Sequence, residues 1–183
     1  MTTAESVVRV LTGAPVPVGD AEPRVPTGPG LYAWWGAPGV LPRIAGPSHP
    51  SAPGQELLYV GIGAGLRARM VDRHVRGGTG ASTLRRSLAA LLMDEEGLRT
   101  RWTTTRVVLV PEDERRLTDW IRTRLRVTWC EHHDPAGVEP AVIALLKPPL
   151  NLDHNAAHAA YGTVKAGRAA WRASAGPKPA DGG

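Results

Sequence analysis

Gly30-Leu31-Tyr32-Ala33-Trp34-Trp35 and, further along, Leu57-Leu58-Tyr59-Val60-Gly61-Ile62 are two short apolar and aromatic runs, and how they are joined decides the reading of the chain. Both suit a pleated, half-buried surface, so each predicts a strand. Pro38, Pro42, Pro47, Pro50 and Pro53 lie between them. That makes the connection a long loop and argues against a regular hairpin with a tight turn.

Working outward, Leu66 to Arg76 predicts a helix stopped by Gly77 and Gly78. Ser82 is a candidate N-cap for a second helix whose apolar stripe is Leu84, Leu88, Leu91 and Leu92, with Arg85 and Arg86 pointing elsewhere. Thr103 to Val110 alternates and then turns apolar, as a strand does; Pro111 opens a helix to about Arg124, and Leu125 to Glu131 reads as another strand. Asp134-Pro135 is an N-cap and first-turn pair for a helix that Pro148-Pro149 must end, because the residue before a proline is pushed out of the helical region. In the other direction, Val7, Val8 and Leu11 form one side of a short N-terminal helix, followed by a Pro- and Gly-rich arm. The expected division is 1–29 as helix and arm, 30–152 as the main domain, 153–175 as an alanine-rich C-terminal helix and 176–183 as a frayed tail. The fold class is α+β, with regular structure beginning near Gly30.

A chain of 183 residues with 42% hydrophobic composition supports one core of ordinary size. Its 22 Lys and Arg against 17 Asp and Glu leave a formal charge of +5, and the excess is nearly all arginine, the side chain suited to forked contacts with phosphate. A polyanionic partner fits that balance, although GC-rich coding also produces arginine. The single cysteine, Cys130, excludes an internal disulfide and a Cys-x-x-Cys metal pair, and fits a reducing cytoplasm. No basic segment followed by an apolar run opens the sequence, and no apolar stretch approaches the roughly 18 residues of a membrane span. A cytoplasmic protein without a membrane association is expected.

Glu139 stands out on physical grounds alone. On a helical wheel stepped at about 100° per residue it falls between Leu146 and Ile143, inside the face that Val138 and Val142 complete. A carboxylate there must be paired with a core-facing arginine, protonated or metal-bound, because isolating a charge in a low-dielectric interior costs several kcal/mol.

Gly30-Leu31-Tyr32 followed by Tyr59-Val60-Gly61 resembles the paired signatures of the GIY-YIG nuclease superfamily. The order downstream strengthens the likeness: Leu66-Arg67-Ala68-Arg69, then His74, then Glu139, then Pro148-Pro149-Leu150-Asn151, spanning residues 30 to 151. The resemblance implies a small central antiparallel sheet flanked by helices, and a metal-dependent endonuclease cutting DNA with Mg2+ or Mn2+ held by Glu139. It implies that Tyr32 or Tyr59 takes a proton from the attacking water, with Tyr32 the first choice, while the other tyrosine positions the phosphate. Arg69 would stabilise the transition state, His74 would shuttle protons, and Asn151 would hold the geometry. Restriction-type members work as dimers, so a homodimer is a further implication.

Each assignment has an ordinary counterpart. Arg69 shares a helical face with Arg73 and Arg76, which together make either a substrate-facing or a solvated basic stripe. His74 lies five residues beyond Arg69, where many members place the histidine one helical turn beyond the arginine; on an α-helix that turns it away, and Arg73 becomes a rival for its place. Asn151 also suits a capping role after the prolines. Lys165, Arg168 and Arg172 either follow a DNA backbone or form a solvated face. Glu131-His132-His133-Asp134 and the His154, His158 pair are incomplete metal sets. The tryptophans Trp34, Trp35, Trp102, Trp120 and Trp129 read as core fillers in a chain without phenylalanine. A phenol with an ordinary pKa is only about 0.1% ionised at pH 7, roughly 4 kcal/mol against its use as a base, so tyrosine, cation and arginine belong together. The rival function is a nucleic-acid-binding module that keeps the fold without turnover, and RNA is an alternative substrate.

Overall fold

The computed structural model describes residues 3–179. In chain order the elements are α1 (Thr3–Leu11), β1 (Val16–Pro17), α2 (Val18–Ala21), β2 (Gly30–Gly36), β3 (Glu56–Gly63), a π-helix (Ala68–Val75), α3 (Thr83–Glu96), β4 (Thr100–Trp102), β5 (Val107–Leu109), α4 (Pro111–Arg124), β6 (Leu125–Glu131), α5 (Pro135–Leu146) and α6 (Tyr161–Ala173). The main sheet is antiparallel with strand order β1-β6-β2-β3, and β4 pairs with β5 in a separate hairpin. The fold is α+β, as the sequence predicts.

Every residue of β2 is buried, as befits a central strand covered on both faces. Leu31, Ala33 and Trp35 face a core completed by Val7 and Leu11 of α1 and Val142 and Ile143 of α5. Tyr32 and Trp34 face the larger core, with Met70 and Val71 of the π-helix, Leu84 and Leu88 of α3, Ile121 of α4 and Trp171 of α6. Period-two alternation thus sends the signature tyrosine to one face and its neighbours to the other. The β2–β3 register slips between Trp34 and Trp35, a bulge beside the candidate site.

The local punctuation is chemically plain. The Ser82 side chain accepts from Arg85 N–H to cap α3, Gly97 ends that helix in the left-handed region, and Asp134 accepts from Gly137 N–H to cap α5. Pro17 lies in the edge strand β1, where its missing N–H is tolerated.

Several expectations need correction. The stretch after α1 is not a loose arm: Val16 and Pro17 pair with β6, and Val18, Ala21 and Val25 are buried. The run from Thr103 to Val110 does not form one strand; Thr103 to Arg106 make a turn, closed by Thr103 N–H on the Arg106 carbonyl, between β4 and β5. Helix α6 starts at Tyr161, and the residues from 153 to 160 are turns, so His154 and His158 share no helix. Arg85, off the apolar stripe of α3, is wholly buried all the same, turned toward Glu114 of α4. Gly176, assigned to a frayed tail, accepts a hydrogen bond from the Trp102 indole at 2.9 Å; residues 180–183 lie outside the described residues.

Candidate active site

The two signature tyrosines share one face because of register. Tyr32 stands opposite Gly61, and Trp34 opposite Tyr59, so both phenols project to the same side, with ring centroids 6.4 Å apart. The signature glycines have steric reasons. A Cβ on Gly61 would overlap the Tyr32 phenol, and one on Gly30 would overlap the Cys130 carbonyl across the sheet.

Over these rings lies the π-helix. Its i→i+5 hydrogen bonding, seen in Arg76 N–H to Val71 O at 2.9 Å, brings residues five apart nearly into line. The five-residue step from Arg69 to His74, which on an α-helix turns the histidine away, therefore delivers both to the tyrosines. His74 Nε2 is 2.7 Å from Tyr32 Oη, and His74 Nδ1 is 2.7 Å from Ser82 Oγ. Arg69 lies against both phenols, and its buried Nε has no hydrogen-bond partner. Arg85 closes the end of the π-helix, donating to the carbonyls of His74 and Val75 and pairing with Glu114 at 2.9 Å.

Burial, aided by Arg69, Arg85 and Arg73, lowers the His74 pKa to about 3, so the imidazole is neutral at pH 7. One ring nitrogen then donates and the other accepts. With the proton on Nδ1, the ring donates to Ser82 and accepts from Tyr32; with the proton on Nε2, both bonds reverse and the Tyr32 oxygen receives a donor. Burial also raises the pKa values of Tyr32 and Tyr59, with Arg69 opposing in both cases.

Tyr59 forms one wall of a cleft of about 190 Å³ that Glu139, Asn151, Asp153, His154 and Arg168 also line. The cleft sits at the free edge of β3. There Asn151 pairs twice with Val60: Val60 N–H donates to Oδ1 at 3.0 Å, and Nδ2 donates to the Val60 carbonyl at 2.8 Å. One side chain thereby satisfies the edge beside Tyr59 as a strand residue does. Glu139, on α5, comes from the opposite layer and is half-buried, with no ion pair among the described residues. Burial raises its pKa, helped by Asp153 and opposed by His154 and Arg69. The structural ion pair considered for this carboxylate is thus absent among the described residues.

The remaining candidates separate. Arg168 faces the cleft, donating to Ser87 Oγ at 2.7 and 3.0 Å, and so lies on the same cavity as Tyr59 and Glu139. Arg76 is engaged by Glu22 at 3.0 Å, away from the cleft. Arg73 and Lys165 are exposed, the latter over the Tyr161 ring, and Arg172 lines a neighbouring pocket. His132 and His133 stack on each other, and His132 accepts from Asp134 N–H. Among the described residues no group of three or more His, Cys, Asp or Glu forms a ready metal cluster, and no helix is long and apolar enough to cross a membrane.

Asp153 and Ser82 are the neighbours that sequence reading missed as parts of the site, Ser82 having been read as a helix cap alone. Asp153 adjoins the Pro148-Pro149-Leu150-Asn151 motif, so proximity in sequence was its one available signal.

The family model of the GIY-YIG catalytic domain matches residues 30–169, and the chain belongs to this nuclease family. The match extends past the motif residues into α6, the helix that carries Arg168. Comparison with curated proteins and with solved structures gives no match.

Proposed function

We propose that this protein is a metal-dependent endonuclease hydrolysing DNA phosphodiester bonds at the Tyr59–Glu139 cleft. The observation that carries the reading is the meeting of the Tyr59 phenol, the Arg168 guanidinium and a half-buried carboxylate with no ion pair among the described residues around one cavity, with Arg69 against the same phenol. A divalent cation fits the carboxylate, because it would relieve the cost of burying that charge. Glu139 would hold it, with Asp153 on the same wall, in the oxygen-rich surroundings magnesium and manganese accept. Such an ion supplies Lewis-acid polarisation of the phosphate and a more acidic attacking water.

The protein's own groups then divide the work. Arg168, on the cleft wall, and Arg69, held behind it against the Tyr59 phenol, neutralise charge that builds on the phosphate oxygens. Tyr59 takes the base role here in place of Tyr32, because Tyr59 borders the cleft whereas Tyr32 has 0% exposure and spends its hydroxyl on His74. Tyr32, steadied by His74, holds Arg69 in position. Asn151 fixes the backbone that bears Tyr59. Arg73, Lys165 and Arg172 add salt-dependent contacts to the backbone; Arg76, bound to Glu22, leaves that group.

The deciding experiment incubates the protein with supercoiled plasmid and Mg2+ or Mn2+, alongside Glu139→Ala. Nicking that disappears in the variant while DNA binding persists supports the proposal; equal cleavage by both defeats it. Parallel incubation with RNA assigns the substrate. The binding-only alternative rests on the offset of His74; the contact of His74 with Tyr32 across the π-helix supports the catalytic reading.

A further inference from the structure

Next to the cleft is a second cavity of about 330 Å³, built where α3, the β4–β5 hairpin and α6 meet. Arg86, Arg106, Arg168 and Arg172 line it, together with Trp102 and Trp171. None of these four arginines forms an ion pair among the described residues. Their partners are neutral. Arg86 donates to the carbonyls of Thr79 and Gly80 and to Thr83 Oγ1, Arg106 donates to the Gly80 carbonyl, and Arg168 donates to Ser87 Oγ. The walls are tied together by Trp102 donating to the Gly176 carbonyl and by Thr100 Oγ1 meeting Ser174 Oγ at 2.7 Å.

Gathering like charges without a carboxylate is unfavourable for the fold, and the pKa of Arg86 is lowered by burial and then by Arg106, Arg172 and Arg69. An arrangement held open by neutral acceptors is matched by an anion from outside the chain. Continuity indicates which one: Arg168 lines both cavities, so a strand with a phosphate in the cleft continues across Arg168 into the second pocket.

We propose that this pocket is a non-cleaving subsite that holds backbone phosphates flanking the scissile bond, with Arg86, Arg106 and Arg172 as the phosphate ligands. The inference deepens the nuclease reading and rests on it for the position of the cut. Its phosphates are read without base contacts, so this subsite contributes affinity and register on the strand, with no sequence preference.

The test measures binding of a fluorescein-labelled DNA duplex by anisotropy, in EDTA so that nothing is cut, over a series of salt concentrations. Arg106→Ala combined with Arg172→Ala, both at exposed positions, is compared with wild type and with Arg115→Ala combined with Arg124→Ala, which removes the same charge from α4. The expected result is weaker binding at physiological salt and a slope of log Kd against log salt reduced by about 2, with the α4 control unchanged. Replacement of the same two residues by lysine should restore most of the slope. An unchanged slope in the pocket variant, or an equal fall in the control, overturns the subsite. Plasmid nicking is scored separately: loss of slope in a protein that never cuts leaves the subsite standing and removes the nuclease reading. Cutting by wild type with an unchanged slope in the variant removes the subsite alone.

Discussion

Around α4, three carboxylates each hold one or two arginines; along the seam between α3 and α6, no arginine has such a partner among the described residues. Glu22 receives Arg76 and Arg122, Asp113 receives Arg99 and Arg116, and Glu114 receives the wholly buried Arg85. Arg69, Arg86, Arg168 and Arg172, on the other side, have phenols, carbonyls, a serine hydroxyl or solvent around them and no ion pair among the described residues. The same residue type thus does two jobs. Paired arginines close hydrogen-bonding needs inside the fold, whereas unpaired ones keep their charge available for a ligand. The contrast also explains why net charge alone was an uninformative guide to function.

The largest effect of losing an arginine without an ion pair is expected at Arg69. Arg69→Ala should lower the rate of plasmid cleavage about a hundredfold to a thousandfold, the usual effect of removing a transition-state donor, while thermal unfolding barely changes. A large loss of stability with unaltered cleavage would place Arg69 among the structural arginines. Arg85→Ala should do the reverse in the first instance. It strands Glu114 and the carbonyls of His74 and Val75, and denaturant unfolding should show a loss of about 3 kcal/mol. Unfolding at wild-type denaturant concentrations would break the division between paired and unpaired residues.

The pH dependence sharpens it further. The pKa of Tyr59 is raised mainly by burial, and a base works only when ionised, so cleavage under saturating metal should climb about tenfold per pH unit from neutrality into the alkaline range. The raised pKa of Glu139 acts in the same sense, weakening metal binding as pH falls. A rate maximum below pH 6 would remove tyrosine from the base role, and Tyr59→Phe should flatten the profile more than Tyr32→Phe.

Smaller effects are expected at two hydrogen-bonded positions. Ser82→Ala removes the cap of α3 and the Nδ1 partner of His74, for about 1 kcal/mol of stability; Ser82→Thr should recover most of it. Its activity readout is the pH profile, because a misaligned imidazole alters how Tyr32 is held. Asp113 lies on the paired side, with its pKa lowered to about 2 from an ordinary 3.8, first by its hydrogen bond to Arg99. A depressed carboxylate adds stability above its unfolded pKa and loses it as pH drops through the folded one. Stability should therefore decline between pH 4 and 2, by about 1 kcal/mol for this group once screening by the exposed Arg99 is allowed for. Asp113→Asn should abolish that share of the decline.

Much of this molecule can be read along one dimension. The alternation of β2 and β3, the caps at Ser82 and Asp134, the stop at Pro148-Pro149 and the carboxylate of Glu139 inside an apolar face are local patterns, set by neighbours a few residues away. The motif order from Gly30 to Asn151 was enough to indicate the family. Other features have no local signature. Arg85 reads only as a residue off the apolar stripe until α4 brings Glu114 to it, and residues 16–25 read as an arm until β6 and α4 give them partners. Arg168 reads as one basic residue in an alanine-rich helix until α6 packs on α3 and turns it toward the cleft.

His74 shows where the two kinds of information divide. Residue identities supplied a tyrosine, an arginine and a histidine in family order, and an α-helical count pointed the histidine away. The π-helix that brings it back depends on carbonyls taken up by Arg85 and on a ring held between Tyr32 and Ser82, contacts that exist only once distant segments meet. Sequence by itself determined which reactive groups are present and on which strands and helices they ride, because those follow from short-range periodicity. Tertiary structure decided which of them touch and which arginines are left without a carboxylate, because pairing depends on distances between segments far apart in the chain.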